Sequence, residues 1–567
     1  MDKKQVGAVL DEMGTLLELK GENPFKVRAF QNAARTILSV EANLAELARE
    51  KKLTEIKGVG AGIAEIISDL VLSGRSAEYE KLEKSFPAGL LELLAIQGLG
   101  PKKAKVLYER LHIKSVADLE KACRANRLLK LEGFGAKTQE NILKGIAYMK
   151  GHSGQHLYSE AIGPARELLE MLLDLRDVTR ASIAGSLRRH KEVIKDIDII
   201  TSSRYAKKLG DLFVKFPQVE SVTGHGETKC SVRLKAGLNC DLRIVSDEEY
   251  PYALHHFTGS KEHNIAMRSR AQDQFGIKVS EWGLFKGKRL FRCKDEDEIY
   301  EALKLAYVPP EMREDMGEME MAENGTLPAL VEEKDLQGIF HTHTTWSDGT
   351  ASIKEMALAA KKAGFKYIGL SDHSQAAAYA KGIKEKDLPK YWAEIDAVNK
   401  QIDGIKILKG TEMDILGDGS PDYSDKALEK FDFVIASVHS RFQMTEDEMT
   451  KRIIKTMSHP KVTMLGHPTG RLLLEREAYP VNMKKIIESA KKHNVVIEIN
   501  ANPHRFDIDW RLGPLLRENG VKVSINPDAH TTDGILDTFY GVGIARKAGL
   551  TKSDVINTAP LSRFPGK

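Results

Sequence analysis

Hydrophobic and polar positions change their period twice along this chain of 567 residues. Residues 1–151 place apolar side chains three and four positions apart, which is the period of amphipathic helices. From residue 152 helical stretches mix with short strand-like runs, among them 183–186 and 194–201. From residue 336 apolar strand runs alternate with amphipathic helical runs. The pattern predicts an all-α front, an α+β centre and an α/β end.

Seven apolar runs beyond residue 336 predict a parallel sheet, and the length of this part favours a closed barrel. Six of the runs end on histidine or carboxylate side chains, and the remaining one ends at Asn500. The predicted strands are 338–343, 366–372, 405–412, 432–438, 462–467, 495–500 and 521–526.

Strand ends of a parallel barrel lie together on one face, so these polar side chains should converge. A single buried histidine is usually a core residue, but ligand-type residues at six strand ends indicate a metal site. Mixed imidazole and carboxylate ligands suit Zn²⁺, Mn²⁺ or Fe²⁺. The candidate ligands are His341, His343, His373, Glu412, His439, His467, Asp528 and His530, with Asp348 in the turn after the first strand as a further one.

Two aspartates alternate with isoleucines in the predicted strand 194–201. Asp196 and Asp198 therefore share one face, and a cation such as Mg²⁺ would stabilise them. The Gly185-Ser186 turn just upstream precedes two arginines, and such donors suit phosphate oxygens. Asp241, in a later strand, could complete a three-carboxylate set for two metals. An acidic edge strand facing solvent would have the same spacing, but the combination favours phosphoryl or nucleotidyl transfer.

One glycine motif recurs three times in the helical front, each time between two short helices. The glycines permit a tight turn, and the following helix begins with free N–H groups that can bind a phosphate without reading a base. A helical repeat that packs only on itself is the alternative, but three copies with similar flanks favour non-specific DNA binding. The pairs are Gly58 and Gly60, Gly98 and Gly100, and Gly133 and Gly135.

Composition excludes several classes of protein. The formal net charge is only +4, so affinity for DNA must come from local basic surfaces. We find no apolar run long enough for a membrane span and no leader pattern, so we expect a cytoplasmic protein without a membrane partner. The four cysteines form no C-x-x-C pair, which is typical of reduced thiols.

Residues 1 to about 315 resemble a family X DNA polymerase, the group of polymerase beta. Helical hairpins, G-S-x-R-R, D-x-D, a later single Asp and F-T-G-S follow one another in that family's order. The resemblance implies that Asp196, Asp198 and Asp241 bind two catalytic Mg²⁺ ions. It also implies that Ser186 and Arg189 hold the triphosphate with the backbone of Gly185, that Phe257 and Gly259 line the sugar site, and that Asn264 and Arg268 lie near the nascent base pair.

Two positions depart from that family. His256 stands where many members have tyrosine before the phenylalanine, so discrimination between sugars could differ in detail. Ile66 stands where the lyase members carry their Schiff-base lysine, and an isoleucine cannot form an imine. We therefore assign no deoxyribose-phosphate lyase activity by that route.

The part from residue 336 resembles the polymerase-and-histidinol-phosphatase (PHP) phosphoesterases. H-x-H, S-D-H-S, G-T-E, S-V-H-S, G-H-P-T-G-R and the closing D-A-H carry the resemblance. It implies a distorted (β/α)₇ barrel with three metal ions, Mn²⁺ or Zn²⁺, that hydrolyses a phosphoester. Arg471 could contact the substrate phosphate, although an exposed loop arginine would give the same sequence.

Together these features predict a monomeric gap-filling repair polymerase that uses gapped or primer–template DNA and deoxynucleoside triphosphates. Its PHP domain would be a 3′→5′ exonuclease, and some relatives also cut at abasic sites. The alternatives are a polymerase fused to a small-molecule phosphatase and a non-catalytic DNA-binding scaffold. The predicted domains are a lyase-like helical domain with the first hairpin (1–85), a helix-hairpin-helix DNA-binding domain (86–151), a nucleotidyltransferase palm (152–250), a nascent-pair subdomain (251–315), a linker with a short helix (316–335) and the PHP domain (336–567).

Overall fold

The computed structural model describes residues 1–563 except 2, 40–41 and 97–98, so Gly98 of the second glycine pair lies outside the described residues. Described regular elements before residue 152 are all helical, as the apolar period predicts. The α-helices are α1 (Lys3–Lys20), α2 (Pro24–Ser39), α3 (Leu44–Arg49), α4 (Ala61–Ser73), α5 (Ala77–Glu83), α6 (Ala88–Glu92), α7 (Pro101–Leu111), α8 (Val116–Arg124) and α9 (Ala136–Gly151).

The second glycine of each pair caps the helix that follows, with nearly the same backbone conformation in all three copies. Gly60, Gly100 and Gly135 have φ between −79° and −74° and ψ between 168° and 172°. Gly58 and Gly133 have φ of +88° and +82°, which glycine adopts without strain. The three helix starts are therefore alike, and each leaves the first N–H groups of α4, α7 or α9 without a side-chain cap.

A single apolar core runs through the helical front, from Val6 in α1 to Ile146 in α9. The predicted boundary between residues 85 and 86 thus does not separate two independently packed units. Ile66 is 2% exposed in that core, on the inner side of α4.

The palm consists of a five-stranded sheet and a small two-stranded sheet. Strand order in the larger sheet is β2-β4-β7-β6-β5. The predicted strand 183–186 is wrong in part, because β2 ends at Ile183 and the glycine that follows starts a helical turn. The elements are β1 (His156–Leu157), α10 (Tyr158–Leu173), β2 (Arg180–Ile183), α11 (Gly185–Arg188), β3 (Val193–Ile194), β4 (Asp196–Ser202), α12 (Ala206–Phe213), β5 (Val219–His225), β6 (Lys229–Leu234) and β7 (Asn239–Val245).

The predicted nascent-pair subdomain follows the palm, and the predicted linker packs against it. The linker helix α16 forms as expected, but Glu318 at its start is 1% exposed and pairs with His263 at 2.7 Å. This connection is therefore a packed segment rather than a free one. The elements are α13 (Tyr250–Thr258), α14 (Lys261–Phe275), β8 (Lys278–Ser280), β9 (Gly283–Lys286), β10 (Arg289–Phe291), α15 (Glu296–Ala302) and α16 (Glu318–Asn324).

Seven parallel strands form the predicted barrel in sequence order, from β11 to β17. Hydrogen bonds from Ala529 to His341 and from His343 to Ala529 bring the first strand beside the last, so the barrel is nearly closed. Its elements are β11 (Gly338–Thr342), α17 (Ile353–Lys362), β12 (Tyr367–Leu370), α18 (Leu388–Asn399), β13 (Lys406–Asp414), α19 (Asp425–Leu428), β14 (Phe433–Ser437), α20 (Glu446–Met457), β15 (Met464–Leu465), α21 (Met483–His493), β16 (Val496–Asn500), α22 (Gly513–Asn519), β17 (Val523–Asn526) and α23 (Thr538–Lys547).

Palm and barrel share one apolar core, which includes Ile197 of β4 and Ile497 of β16. The two catalytic halves suggested by the sequence are thus packed together. No helix in the described part of the chain is long and apolar enough to span a lipid bilayer.

Two candidate metal centres

The palm carboxylates lie on two neighbouring parallel strands. Asp198 of β4 is directly in register with Asp241 of β7, and Asp196 with Asn239. Ile197 and Ile199 are fully buried on the opposite face, as the alternation predicts. The structure therefore brings the three predicted aspartates to one edge of the sheet.

This edge carries more negative than positive charge. Burial, together with the charges of Asp241 and Asp196, raises the pKa of Asp198 to about 6. Lys229 is the near counter-charge, with its Nζ 2.6 Å from Asp241 Oδ2. Ser231 donates a hydrogen bond to Asp241 at 2.6 Å. A carboxylate that resists ionisation beside two others fits a site for a divalent cation.

Gly185 allows the turn of the G-S-x-R-R motif to approach these carboxylates. Its φ is +62°, and a Cβ there would lie 2.1 Å from Asp198 Oδ2. Only glycine fits that position, so the start of α11 and the neighbouring Ser186 are held beside the acidic edge.

Arg189 is engaged inside the protein. Its Nε donates to Glu314 at 3.0 Å, and its Nη1 donates to the carbonyl of Thr258 at 2.6 Å. Arg188 pairs with Glu296 at 2.5 Å. Binding of a triphosphate by Arg189 stays a prediction, and it would require this side chain to leave Glu314.

The predicted sugar and base contacts cluster at the junction of α13 and α14. The Arg243 guanidinium lies 4.0 Å from the centre of the Phe257 ring. A Cβ at Gly259 would lie 2.4 Å from Asn264 Oδ1, and the Asn264 amide donates to the carbonyl of His256 at 2.7 Å. Arg268 is exposed further along α14. Asn264 thus stabilises the turn between α13 and α14. Its contact with a base pair stays a prediction.

All nine candidate ligands of the barrel converge at the carboxyl ends of its strands, around Glu412. One oxygen of this carboxylate lies 2.9 Å from His467 Nε2 and 3.2 Å from His439 Nε2. The other lies 3.0 Å from His373 Nδ1. His341 Nε2 is 3.2 Å from Glu412 as well.

These ligands fall into four overlapping groups in which the ligand atoms lie within 4.8 Å of one another. Such overlap suits several ions that share carboxylates. The palm trio does not form a group this tight among the described residues. The groups are His343, Asp348, His373 and His530; His341, Glu412 and His467; His341, His343 and Asp528; and His373, Glu412 and His439.

Buried ring nitrogens of this cluster lack well-aligned hydrogen bonds in the described part of the chain, which suits the binding of cations. Within the described ranges, His341 Nε2, both nitrogens of His343 and His373 Nδ1 are buried without a hydrogen-bond partner. Such orphaned atoms are costly unless something binds them. Burial, with the nearby His530 and His373, lowers the pKa of His343 to about 4, so this ring is neutral and has a lone pair for a metal.

Backbone conformation at the strand ends supports a functional role. His341 and Asp528 have φ of +57° and +52°, and His467 has φ of +21°. Non-glycine residues rarely adopt these angles, and such strain is concentrated at functional sites. Three of the nine candidate ligands are therefore held by a costly local conformation.

Two carboxylates that orient the ligands were missed from the sequence. Glu498 is fully buried, and its Oε1 lies 2.5 Å from His341 Nδ1. Asp414 Oδ1 lies 3.0 Å from His439 Nδ1. Carboxylates in this position fix the ring of a metal-binding histidine. A polar residue within the apolar run Val496–Asn500 was the available signal for the first.

Arg471 lies where the barrel meets the palm, and its contact with a substrate phosphate stays a prediction. Its guanidinium donates to the carbonyls of Arg505 and Phe506 and lies 3.4 Å from Glu192 of the palm. It therefore joins the barrel to the palm. Arg505 lies at the ligand cluster instead, with its Nε 3.5 Å from Asp528 Oδ2.

Comparison with known proteins agrees with this division of the chain. The family models matched are a helix-hairpin-helix domain at residues 1–76, a SAM-like helix-hairpin-helix tandem at 90–147, the DNA polymerase beta thumb at 253–314 and the PHP domain at 340–502. A Bacillus subtilis (strain 168) protein named DNA polymerase/3'-5' exonuclease PolX is 37% identical over 565 residues, 99% of this chain and 98% of the relative. The chain belongs to the PolX family of family X DNA polymerases.

The barrel alone also has shorter relatives. A probable phosphatase of Thermoanaerobacter sp. (strain X514) is 30% identical over 229 residues, 38% of this chain and 89% of the relative. A probable phosphatase of Vibrio parahaemolyticus serotype O3:K6 is 30% identical over 234 residues, 39% of this chain and 88% of the relative. Family membership confirms the polymerase and PHP resemblances, and the fold confirms the multidomain architecture.

Proposed function

We propose that this chain is a template-dependent DNA polymerase that fills short gaps and shortens 3′ ends with its barrel. The observation that carries the proposal is the presence of two separate ligand sets behind three hairpin repeats in one chain. The full-length relative, named DNA polymerase/3'-5' exonuclease, supports the same pair of activities. The substrates would be gapped or primer–template DNA and deoxynucleoside triphosphates.

The hairpins would hold the DNA backbone. Uncapped N–H groups at the starts of α4, α7 and α9 suit phosphate oxygens, and they carry no base readout. The formal net charge is small, so this local geometry rather than a general basic field would supply the affinity. A monomer is sufficient for this arrangement.

In the palm, Asp196, Asp198 and Asp241 would hold two Mg²⁺ ions, which supply charge stabilisation for in-line displacement at a phosphate. The chain itself would bind and orient the nucleotide. Ser186 and Arg189 would contact the triphosphate oxygens. The Phe257–Gly259 turn, fastened by Asn264, would define the space for the sugar, and Arg268 would face the nascent base pair.

In the barrel, the nine ligands would hold three ions, Mn²⁺ or Zn²⁺, which supply Lewis acidity towards a phosphoester. Glu498 and Asp414 would keep His341 and His439 in the orientation that presents Nε2 to the cluster. Arg505 would bind a phosphate oxygen of the DNA next to Asp528, since a guanidinium suits such an anion.

The test uses a 5′-labelled primer on gapped DNA with purified protein and Mn²⁺. Extension with nucleotides and stepwise shortening without them is the expected result. Extension without shortening would leave the polymerase in place and contradict the exonuclease assignment.

The probable phosphatases similar to the barrel make a small-molecule phosphatase the second candidate for that domain. It predicts release of inorganic phosphate from free phosphomonoesters and indifference to DNA. Parallel assays with a phosphomonoester panel and with the labelled primer therefore distinguish the two candidates.

A further inference from the structure

Residues 189–192 connect the G-S-x-R-R motif to the D-x-D strand, and barrel residues surround them. The Glu192 carboxylate accepts a hydrogen bond from Trp510 Nε1 at 3.1 Å. Lys191 Nζ lies 5.5 Å from the centre of the Trp510 ring. The barrel thus contacts the connection between the two motifs expected to bind triphosphate and metal.

Lys547, the last residue of α23, contacts this connection most directly. Its side chain is fully buried, and its Nζ donates to the carbonyl of Arg189 at 3.0 Å and to Glu314 Oε1 at 2.5 Å. A third bond goes to the carbonyl of Glu311 at 3.2 Å. A buried ammonium with three acceptors is fully satisfied, so the contact is specific rather than incidental.

Glu314 is shared by three cations. Besides Lys547, it accepts from Arg189 Nε at 3.0 Å and lies 3.5 Å from Lys191 Nζ. These charges hold the pKa of Glu314 below its ordinary value although burial raises it. If Arg189 turns towards a triphosphate, Lys547 and Lys191 still neutralise this carboxylate.

A second barrel position constrains the same connection. Gly543, one turn before Lys547, faces His190, and a Cβ there would lie 2.1 Å from His190 Nδ1. His190 itself has φ of +52°. Close packing of Gly543 therefore holds a strained residue directly after Arg189.

We propose that Lys547 of the barrel is a positioning residue of the nucleotidyltransferase centre. Lys547 holds Glu314 and the backbone of Arg189 in place. The Arg189 guanidinium is then positioned near the triphosphate site, where it can leave Glu314 and bind the substrate. The barrel is thereby part of the polymerase as well as the site of a second reaction. This inference rests on the proposed role of Arg189 in binding nucleotide.

The test is Lys547→Met in the full-length chain, because methionine fills the space without adding a charge. Single-nucleotide insertion into gapped DNA with Mg²⁺ should show a KM for the nucleotide about tenfold higher, the size typical for loss of a supporting contact. The value of kcat should change less than KM. Shortening of the labelled primer with Mn²⁺ should stay within about twofold, because the nine ligands are untouched.

Two comparisons separate positioning from general damage. Lys552→Met removes an exposed barrel lysine paired with Asp335, and it should leave both activities unchanged. In a Glu314→Gln background, Lys547→Met should raise KM clearly less than in the wild type, since the two residues act through one contact. If Lys547→Met fails to fold, Gly543→Ala is measured by the same criteria.

An unchanged KM in a folded variant would overturn the inference, and so would equal loss of both activities. Titration calorimetry of Mg²⁺–nucleotide binding gives the same comparison without catalysis. A wild-type chain that binds nucleotide without extending primers would contradict the proposed function. The inference about Lys547 would then still be tested by the affinity of Lys547→Met for Mg²⁺–nucleotide. A wild-type chain that binds no nucleotide would contradict both.

Discussion

The two candidate metal centres gather their ligands in opposite ways. In the palm, three half-buried carboxylates lie on two neighbouring strands, with Lys229 as a counter-ion. In the barrel, eight candidate ligands lie around a ninth, the buried Glu412, and all but Asp348 come from six strand ends. The palm edge leaves coordination positions for a nucleotide and a primer end. The barrel already contains most of the ligands that three ions need.

The two centres also differ in their electrostatics. The palm trio consists of like charges, so an ion must relieve repulsion there. The barrel site mixes imidazole and carboxylate, and within the described residues the unsatisfied atoms of its candidate ligands are ring nitrogens. We therefore expect the palm to recruit its ions together with substrate, and the barrel to retain its ions as part of the fold.

The largest expected effects are reciprocal losses of activity. Asp198→Ala should lower nucleotide addition by about 10³-fold or more, since the carboxylate would help to hold ions that contribute several kcal/mol to the stability of the transition state. His439→Ala should do the same to primer shortening. Each variant should retain the other activity in the gapped-DNA assay. Loss of both activities from either single change would mean that the centres are not independent.

Metal removal should affect stability mainly through the barrel. An ion present at about 100 times its dissociation constant stabilises the fold by about 2.7 kcal/mol, so chelation should lower the melting temperature by several degrees. Differential scanning calorimetry before and after chelation measures the shift. Asp198→Ala should keep this shift, whereas His439→Ala should reduce it. Equal shifts in both variants would contradict the proposed difference between the centres.

Most candidate ligands of the barrel could be proposed from the sequence because they lie at or just after the end of an apolar run, with Asp348 in a turn as the exception. A linear pattern then gives the position, and the parallel topology gives the convergence. Glu498 was missed because it lies within its strand, where the sequence alone does not tell which side of a fully buried strand faces the ligands. The strand 183–186 was overextended because Gly185 has a positive φ and begins a helical turn close to Asp198, which the apolar pattern does not show.

Contacts between domains could not be predicted at all. The bond from Lys547 to Glu314 joins residues 233 positions apart, and nothing local to either residue signals it. Arg471 illustrates the same limit, because its motif suggested a contact with substrate phosphate, whereas its guanidinium lies beside Glu192 of the palm. Local patterns thus identified ligands at strand ends, and packing decided which arginines face them.

Glu498→Gln tests whether the barrel site depends on orientation of its ligands. The amide keeps the shape but loses the charge that holds His341, so metal affinity should fall by about 10- to 100-fold. Competition with a calibrated chelator measures the affinity. Glu355→Gln changes an exposed carboxylate that caps α17, and it should leave the affinity unaltered.

Binding of Mg²⁺ to the palm should depend on pH. The pKa of Asp198 is raised to about 6 in the absence of metal, so below that pH an ion must displace a proton. Affinity should then fall by up to about tenfold for each pH unit below 6, and it should level off above this value. Calorimetric titrations of the wild type and of Asp198→Ala with Mg²⁺ isolate the palm contribution by difference, because the variant keeps all nine barrel ligands. A flat profile between pH 5 and pH 7 would show that Asp198 is ionised throughout.

The smallest effect is expected at Arg471, which the sequence suggested as a contact for the substrate phosphate. Arg471→Lys should change primer shortening by less than about twofold, because its guanidinium faces Glu192 and backbone carbonyls. Arg505→Lys is the matched change at the ligand cluster. It should lower shortening by about tenfold, since lysine cannot reproduce a bidentate contact with phosphate. A larger effect of Arg471→Lys than of Arg505→Lys would indicate that Arg471 contacts the substrate phosphate. The boundary between palm and barrel would then have to open when DNA binds.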